Sequence, residues 1–147
     1  MNVRRAEPRD AIAVQELTRA AYAKWVPLIG REPKPMQANY EEAVRKHRID
    51  LLHVDGKLAA LIETIAEPDH LLVENVAVGP AFQKRGLGRE LMAHAEQLAA
   101  SLGYREIRLY TNKLFAENVE LYLGLGYRVD REEIIPAGTV VHMSKPC

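Results

Sequence analysis

The most constraining feature of this chain is a β-rich segment that leads through a glycine-containing loop into a long amphipathic helix. The segment LLVENVAV at 71–78 is a nearly continuous apolar run, which predicts a strand covered on both faces. After the loop, an apolar stripe at helical spacing is formed by Leu87, Leu91, Ala95, Leu98 and Leu102, and it ends at Gly103. The first N–H groups of a helix lack partners within it, so this arrangement predicts an anion-binding position at the helix N-terminus.

The remaining segments predict an α/β (α+β) chain with a mixed, mostly antiparallel sheet of six to seven strands. Asp55-Gly56 is a strong hairpin signal within the strand-rich segment 49–67, and 27–36, with three prolines and one glycine, predicts an irregular segment. The other predicted strands are 2–6, 71–78, 105–112, 127–134 and 139–146. The predicted helices are 11–26, 37–47, 87–102 and 116–126. This order of elements places about four helices against one sheet.

The composition is typical of a single domain, residues 1–147, in the reducing cytoplasm. Lys and Arg together number 20, as do Asp and Glu, and this zero net charge argues against nucleic acid as a partner. Cys147, the one cysteine, has no second cysteine for a disulfide or a zinc site. No export signal and no membrane-length apolar run is found, so we expect a cytoplasmic protein that does not enter a membrane. A homodimer is compatible with the sequence, which contains nothing that decides it.

The glycine loop does not match two common phosphate-binding motifs. In a P-loop, a Lys-Ser/Thr pair follows the second glycine, whereas here Lys84 precedes Gly86 and Leu87 follows it. In a dinucleotide fingerprint a third glycine follows Gly86 and Gly88, but Leu91 stands at that position. The loop therefore has to be interpreted from its own pattern, which is Gln83-x-x-Gly86-x-Gly88 directly after a strand and at the start of a helix.

A second pattern lies further along the chain, in YTNKLFAENVELYLGLGYR at 110–128. The first pattern resembles the acetyl-CoA motif of the GNAT N-acetyltransferase superfamily, Gln/Arg-x-x-Gly-x-Gly/Ala. The second resembles the Asn…Leu-Tyr-x-x-x-Gly-Tyr/Phe signature of the same superfamily. The predicted order of elements is also similar to the GNAT fold, so the resemblance spans essentially the whole chain. It implies a GNAT fold with splayed central strands and an acetyl-CoA-dependent acetyltransferase.

The resemblance also implies which residues hold the acetyl donor. Backbone groups of one continuous segment would hold the pyrophosphate of acetyl-CoA: Gln83, Lys84, Arg85, Gly86, Leu87, Gly88 and Arg89. The strand backbone at Val76, Ala77 and Val78 would pair with the pantetheine arm, and Asn118 and Tyr122 would line the thioester end. Lys84 stands where many relatives have glycine, and we expect little loss from it because the contact is to backbone.

Acetyl transfer to an amine requires a base and stabilisation of the leaving thiolate, because an alkyl ammonium with a pKa of about 10.4 is protonated at neutral pH. Glu74 is our candidate base, with Glu63 as the fallback. Tyr122 is the candidate acid; its pKa is either lowered, or it mainly donates a hydrogen bond as charge develops on sulfur. We expect direct transfer in a ternary complex. Neither Cys147 nor the five dispersed histidines suggests a covalent intermediate or a metal site.

The acceptor is not identified by the sequence. Tyr22, Trp25, Glu74 and Tyr110 are our candidates for binding a small-molecule or peptide amine, and Tyr40 and the segment 27–36 also contribute to this part of the fold. Tyr22 and Trp25 are three residues apart on one helix face and could bind a cation or simply pack. Tyr127 is expected in the core. The alternative function is an acyl-CoA-binding or regulatory module without turnover.

Overall fold

The computed structural model describes residues 3–147 and contains seven strands and six helices of one turn or more within them. The strands are β1 (Val3–Arg5), β2 (Arg48–Val54), β3 (Lys57–Ala66), β4 (Leu71–Val78), β5 (Glu106–Asn112), β6 (Arg128–Ile135) and β7 (Gly138–Pro146). The helices are α1 (Ala11–Tyr22), α2 (Val26–Ile29), α3 (Lys34–Gln37), α4 (Tyr40–Lys46), α5 (Leu87–Ser101) and α6 (Ala116–Gly124). Short 3₁₀ turns cover Pro8–Asp10, Ala23–Trp25 and Pro80–Phe82.

The seven strands form one sheet in the order β1-β2-β3-β4-β5-β7-β6, and β4 with β5 is the parallel pair in an otherwise antiparallel arrangement. This confirms the predicted mixed sheet. Asp55 and Gly56 both have positive φ, 51° and 76°, as expected for the tight hairpin turn that Asp-Gly favours.

Each face of the sheet carries its own apolar cluster. On one face, α5 buries Leu91, Met92 and Ala95 against Ile62 and Val73 of the sheet. On the other face, α1 and α4 cover a second cluster, which includes Val14, Ala21, Val44, Leu51 and Ala77. Burying the side chain of a residue such as Leu91 stabilises the fold by about 1.5–3 kcal/mol relative to exposing it, so these clusters hold the helices firmly on both faces of β4.

Strand β4 changes its surroundings halfway along. Its pairing with β5 covers Leu71–Val73 and goes no further, so the two strands separate from Glu74 onward. Opposite β3, Thr64 pairs with Val73 and Glu63 with Asn75, which leaves Glu74 as an extra residue in a β-bulge. Before the bulge, Leu71 and Val73 face the α5 cluster, whereas after it Ala77 faces the α1 cluster and Val76 and Val78 face α5. The predicted splay is therefore present, and the bulge coincides with it.

Three predictions about local structure were wrong. Segment 27–36 is not irregular throughout, because α2 and the start of α3 form single helical turns within it, each with a proline in the first turn, where a missing N–H does no harm. Leu102 is 55% exposed, because α5 ends at Ser101 and Leu102 lies beyond its packed face. Strand β4 is not fully covered, since its residues alternate between buried and half-buried along an open cleft.

Candidate active site

A cleft of about 510 Å³ lies where β4 separates from β5, between α1, the N-terminus of α5 and α6. We call it the donor cleft. Ten of the residues predicted for the acetyl donor line it: Val76, Val78, Gln83, Lys84, Gly86, Leu87, Gly88, Arg89, Asn118 and Tyr122. Ala77 and Arg85 do not, because the Ala77 side chain is buried in the α1 cluster and the Arg85 guanidinium lies 5.4 Å from the Phe82 ring. Ala21, Lys24, Glu117 and Leu121 also line the cleft and were not foreseen.

The loop at the start of α5 suits an anion. Gly86 caps the helix with a left-handed φ of 80°, and a Cβ placed there would meet no atom within 4 Å, so it would project into open space. Lys84, too, has a left-handed φ, 64°, the conformation that explains why glycine suits this position. The unpaired N–H groups of the helix and the charges of Lys84 and Arg89 together favour a phosphate group at this end.

The open edge of β4 is bound by side chains where β5 no longer reaches it. The one hydroxyl proton of Tyr22 is shared between Asn75 Oδ1 at 2.9 Å and the carbonyl of Val76 at 3.2 Å, and Gln83 donates its amide N–H to the carbonyl of Val78 over 3.1 Å. The edge is therefore partly satisfied within the chain, and an extended ligand on this strand would have to share those carbonyls.

Tyr122 is buried, with 8% of its surface exposed, and its ring lies edge-on to Tyr127 at 6.0 Å between centroids. Burial raises the pKa of Tyr122 to about 12. A lowered pKa, one of the two alternatives that the sequence left open, is therefore wrong for this state of the protein. The phenol stays protonated at neutral pH, and within residues 3–147 it makes no hydrogen bond, so it can donate one into the donor cleft.

Aromatic side chains separate the donor cleft from a second, smaller pocket. Tyr22 lines both cavities. Trp25 lines the donor cleft and stacks on Phe115, which lines the smaller pocket, with ring centroids 4.5 Å apart and planes 21° from parallel. Trp25, predicted for the acceptor, therefore lies on the donor side of this wall.

The smaller pocket, of about 160 Å³, is the candidate acceptor pocket. At its polar end the Tyr110 hydroxyl donates to Glu74 Oε1 over 2.5 Å, and Lys34 Nζ lies 3.3 Å from the same oxygen and 3.0 Å from the Tyr110 oxygen. Burial raises the pKa of Tyr110 to about 12. Arg31, also in the lining, donates to the carbonyl of Ala137 and thereby joins the segment before α3 to the β6–β7 turn. Lys34 and Arg31 had no sequence signal beyond their place in a proline-rich segment.

A buried hydrogen-bond network holds α1 and α4 against β4 behind this pocket. Asn75, 3% exposed, accepts from the Tyr22 hydroxyl over 2.9 Å and donates to the hydroxyls of Thr18 and Tyr40. Tyr40 in turn donates to the carbonyl of Pro35 over 2.6 Å. Burial raises the pKa of both Tyr22 and Tyr40, so both stay protonated donors. Asn75 was not foreseen, since a lone Asn in a strand looks the same whether it is buried or exposed.

Glu63 lies in a third cavity, of about 420 Å³, which adjoins the acceptor pocket across Lys34 and Glu74. Glu63 is 4% exposed, and its carboxylate lies 2.6 Å from His47 Nδ1. Burial raises the pKa of Glu63 above its usual value of 4.5 despite this partner. Both candidate bases line this third cavity, but Glu74 also lines the acceptor pocket, beside the splayed strands, whereas Glu63 does not.

The described residues contain neither a cluster of metal ligands nor a membrane-spanning helix. Among residues 3–147, no three His, Cys, Asp or Glu side chains converge as metal ligands would. Over the same range, no helix combines the length and apolar character needed to cross a membrane.

Comparison with known proteins identifies the family. Residues 13–127 match the model of the Acetyltransferase (GNAT) family, and the chain therefore belongs to that family. It is 34% identical over 76 residues to the [ribosomal protein bS18]-alanine N-acetyltransferase of Salmonella typhimurium, covering 52% of this chain and 51% of that protein. It is 35% identical over 71 residues to mouse N-alpha-acetyltransferase 80, covering 48% of this chain and 21% of that protein. The matches thus span at most about half the length of these curated relatives.

The fold itself has solved counterparts. The PaiA N-acetyltransferase of Thermoplasma acidophilum, solved in complex with coenzyme A, superposes with a TM-score of 0.79 at 17% identity, covering 99% of this chain and 98% of that one. At this identity the likeness establishes the GNAT fold and leaves the activity to be argued from the site.

Proposed function

We propose that this protein is an N-acetyltransferase that moves an acetyl group from acetyl-CoA, its co-substrate, directly to a primary amine. The observation that carries the proposal is the meeting of two cavities at one wall: Tyr22 lines both the donor cleft and the acceptor pocket, beside the point where β4 leaves β5. Family membership supports acetyl-CoA as the donor. The open space at Gly86 and the cationic loop fit its pyrophosphate.

In the proposed mechanism the chain holds both reactants and moves two protons. Glu74, directly or through water, takes a proton from the acceptor ammonium, and the free amine attacks the acetyl carbonyl carbon. As the C–N bond forms and the C–S bond breaks, Tyr122 gives its phenol proton to the sulfur of the leaving CoA and regains one from the amine nitrogen as the amide forms. A phenol with a pKa of about 12 transfers this proton uphill to a thiolate with a pKa of about 8.5, so the main contribution of Tyr122 is a hydrogen bond to sulfur as charge develops.

The acceptor class is narrowed by the pocket and by the relatives. The acceptor pocket presents the Glu74 carboxylate, the Tyr110 phenol and the Lys34 ammonium at its polar end, and apolar side chains such as Ile29 and Val140 elsewhere. The carboxylate and the phenol suit an amine, and the apolar lining suits an apolar or short chain on it. The Salmonella relative is named as an alanine N-acetyltransferase of ribosomal protein bS18, so a peptide α-amine belongs among the candidates. We retain the cytoplasm as the expected compartment.

The test is release of CoA thiol from acetyl-CoA with a panel of amines that includes polyamines, amino acids and peptides beginning with alanine. Turnover of at least one amine is expected. Glu74→Gln should lower kcat by about 100-fold or more with unchanged acetyl-CoA affinity, since general base catalysis contributes typically 10²–10⁴-fold. Glu63→Gln is the matched control and should retain turnover.

The opposite results have defined meanings. Tight acetyl-CoA binding with no thiol release on any amine would favour a non-catalytic acyl-CoA-binding module. Loss of turnover in Glu63→Gln, with activity retained in Glu74→Gln, would reverse the assignment of the base.

A further inference from the structure

The acceptor pocket already contains a primary ammonium ion, and it belongs to the chain itself. Lys34 Nζ lies 3.3 Å from Glu74 Oε1, 3.0 Å from the Tyr110 hydroxyl and 5.3 Å from the centre of the Tyr110 ring. A carboxylate, a phenol oxygen and an aromatic face are the groups that recognise an alkyl ammonium. The hydrogen bond with Tyr110 raises the pKa of Lys34, so the side chain is held as a cation. Lys34 thus occupies the position that an acceptor amine would take.

This contact is weakly held, so the side chain is free to move within the pocket. The Lys34 side chain is 74% exposed, and ion pairs at such exposure contribute little to stability. The residue stands at the first position of the one-turn helix α3, between Pro33 and Pro35, which restrict the backbone on both sides. A flexible four-carbon stem on a fixed backbone can therefore turn toward the thioester end without unfolding the segment.

Other lysines make ion pairs of a different kind. Lys113 pairs with Glu132 at 2.9 Å, and Lys46 with Glu42 one helical turn earlier. These pairs are exposed, and neither lysine lines the acceptor pocket. Lys113, with 58% of its side chain exposed, is therefore a suitable internal reference for the reactivity of a surface lysine.

We propose that Lys34 is a self-acetylation site: the protein transfers an acetyl group from acetyl-CoA to its own Lys34 Nζ within one molecule. The inference rests on the proposed function. Glu74 takes one proton of the ammonium, Nζ attacks the acetyl carbon, the C–N bond forms and the C–S bond breaks. Tyr122 protonates the departing sulfur and is reprotonated from nitrogen. The products are Nε-acetyl-Lys34, CoA thiol and one proton, which Glu74 releases to solvent.

Acetylation would change the acceptor pocket. The acetamide is neutral, so it no longer forms an ion pair with Glu74, and the carboxylate is left with Tyr110 as its partner. The modified side chain would also have to leave the pocket before a free amine could bind. Self-acetylation is thus a single event for each molecule, distinct from repeated turnover.

The test is to incubate the purified full chain with isotopically labelled acetyl-CoA and map the modified lysines by peptide mass spectrometry. Lys34 should be labelled at least about tenfold faster than Lys113, because positioning beside the reacting groups raises the effective concentration of the amine. The initial rate constant should not depend on protein concentration, as expected for transfer within one molecule. Label at Lys34 should be lost in Glu74→Gln while Lys113 is labelled as before, and thermal melting of the variant should show that it is folded.

Three results would overturn the inference. Equal labelling of Lys34 and Lys113 would indicate chemical acetylation of exposed lysines. Unchanged labelling of Lys34 in Glu74→Gln would show that the reaction does not depend on the acceptor pocket. A rate constant that rises with protein concentration would show that one molecule acetylates another. If free amines are acetylated while Lys34 stays unmodified, the proposed function stands and this inference fails. If neither is acetylated, both fail.

Discussion

The donor cleft and the acceptor pocket share a wall but are built in different ways. The donor cleft takes most of its lining from one continuous segment, Val76 to Arg89, together with one face of α6. The acceptor pocket joins side chains from α2, the segment before α3, β4, β5 and β7, including a contact between Arg31 and Ala137 across 106 positions of sequence. One cavity is defined by local backbone conformation, and the other by long-range contacts between side chains. We therefore expect substitutions in the donor cleft to change acetyl-CoA binding, and substitutions in the acceptor pocket to change acceptor use, each with little effect on the other.

The largest effect is expected from Gly86→Val, which should weaken acetyl-CoA binding by at least about 100-fold. The added side chain would project into the donor cleft, and each charge-assisted hydrogen bond lost from the phosphate site is worth about 1.5–3 kcal/mol. Calorimetric titration with acetyl-CoA measures the loss.

The control for this change lies at the other end of the same helix. Gly103 has a φ of 83°, close to the 80° of Gly86, and also has open space around its Cβ position. Gly103→Val therefore carries the same backbone strain, about 1–3 kcal/mol, without touching the cleft. Equal loss of binding in both variants would show that backbone strain, and not the donor site, is responsible.

Tyr122→Phe should lower kcat about 10- to 100-fold, at or below the lower limit of the 10²–10⁴-fold range typical of general acid–base catalysis, because a thiolate is a fairly stable leaving group. The dissociation constant for acetyl-CoA should stay within about twofold, since the ring remains in place against Tyr127. The pKa of Tyr122 is raised to about 12, so the phenol stays protonated from pH 6 to about 9. The ratio of kcat in the wild-type protein to kcat in Tyr122→Phe should therefore be constant over this range. Tyr127→Phe, at a phenol bonded to Glu96 and outside the donor cleft, is the control and should retain kcat. A Tyr122→Phe enzyme with normal kcat would exclude Tyr122 as the acid.

Trp25→Ala sharpens the comparison, because the sequence predicts Trp25 for the acceptor and the structure places it in the donor cleft. We expect acetyl-CoA affinity to fall about 3- to 10-fold, because the indole ring that lines the donor cleft is removed. The acceptor KM should change little. Tyr110→Phe is the mirror variant and should change the acceptor KM while leaving acetyl-CoA affinity as it is. A rise in acceptor KM for Trp25→Ala alone would return Trp25 to the acceptor side.

The smallest effect is expected on the free energy of unfolding, through Glu63 in the cavity next to the acceptor pocket. Burial raises the pKa of Glu63 above 4.5, so the folded protein holds this proton more tightly than the unfolded chain does. Stability should therefore fall as pH rises from 4.5 through the folded pKa, and this part of the dependence should vanish in Glu63→Gln. Urea unfolding of both proteins between pH 4 and 7 measures it. Glu42 is exposed, and Lys46 lowers its pKa, so its contribution to stability is lost as pH falls. Glu42→Gln should therefore remove a pH dependence of stability that has the opposite sign.

The sequence predicted the donor cleft better than the acceptor pocket for physical reasons. Gly86 and Gly88 follow a strand and begin a helix, and these local signals fix the loop that forms the cleft. Glu74 could be proposed from its place on β4, but its partner Lys34 lies forty positions earlier in a proline-rich segment that predicts no structure. The role of Asn75 depends on three hydroxyls from α1 and α4, and no local pattern encodes such a meeting. The family model likewise ends at residue 127, before the β6–β7 hairpin that completes the acceptor pocket.

The extra residue at Glu74 also limits how this strand can change its length in evolution. Because it reverses the alternation of β4, deletion of one residue there would exchange the two faces of the strand beyond it. The Asn75 amide would then enter the apolar cluster under α5, without its three hydroxyl partners, and Val76 would turn toward α1. A single-residue deletion in β4 should therefore be far less tolerated than one in the Asp55-Gly56 turn. In a library of single-residue deletions, folded variants should be found for the turn and should be missing for β4.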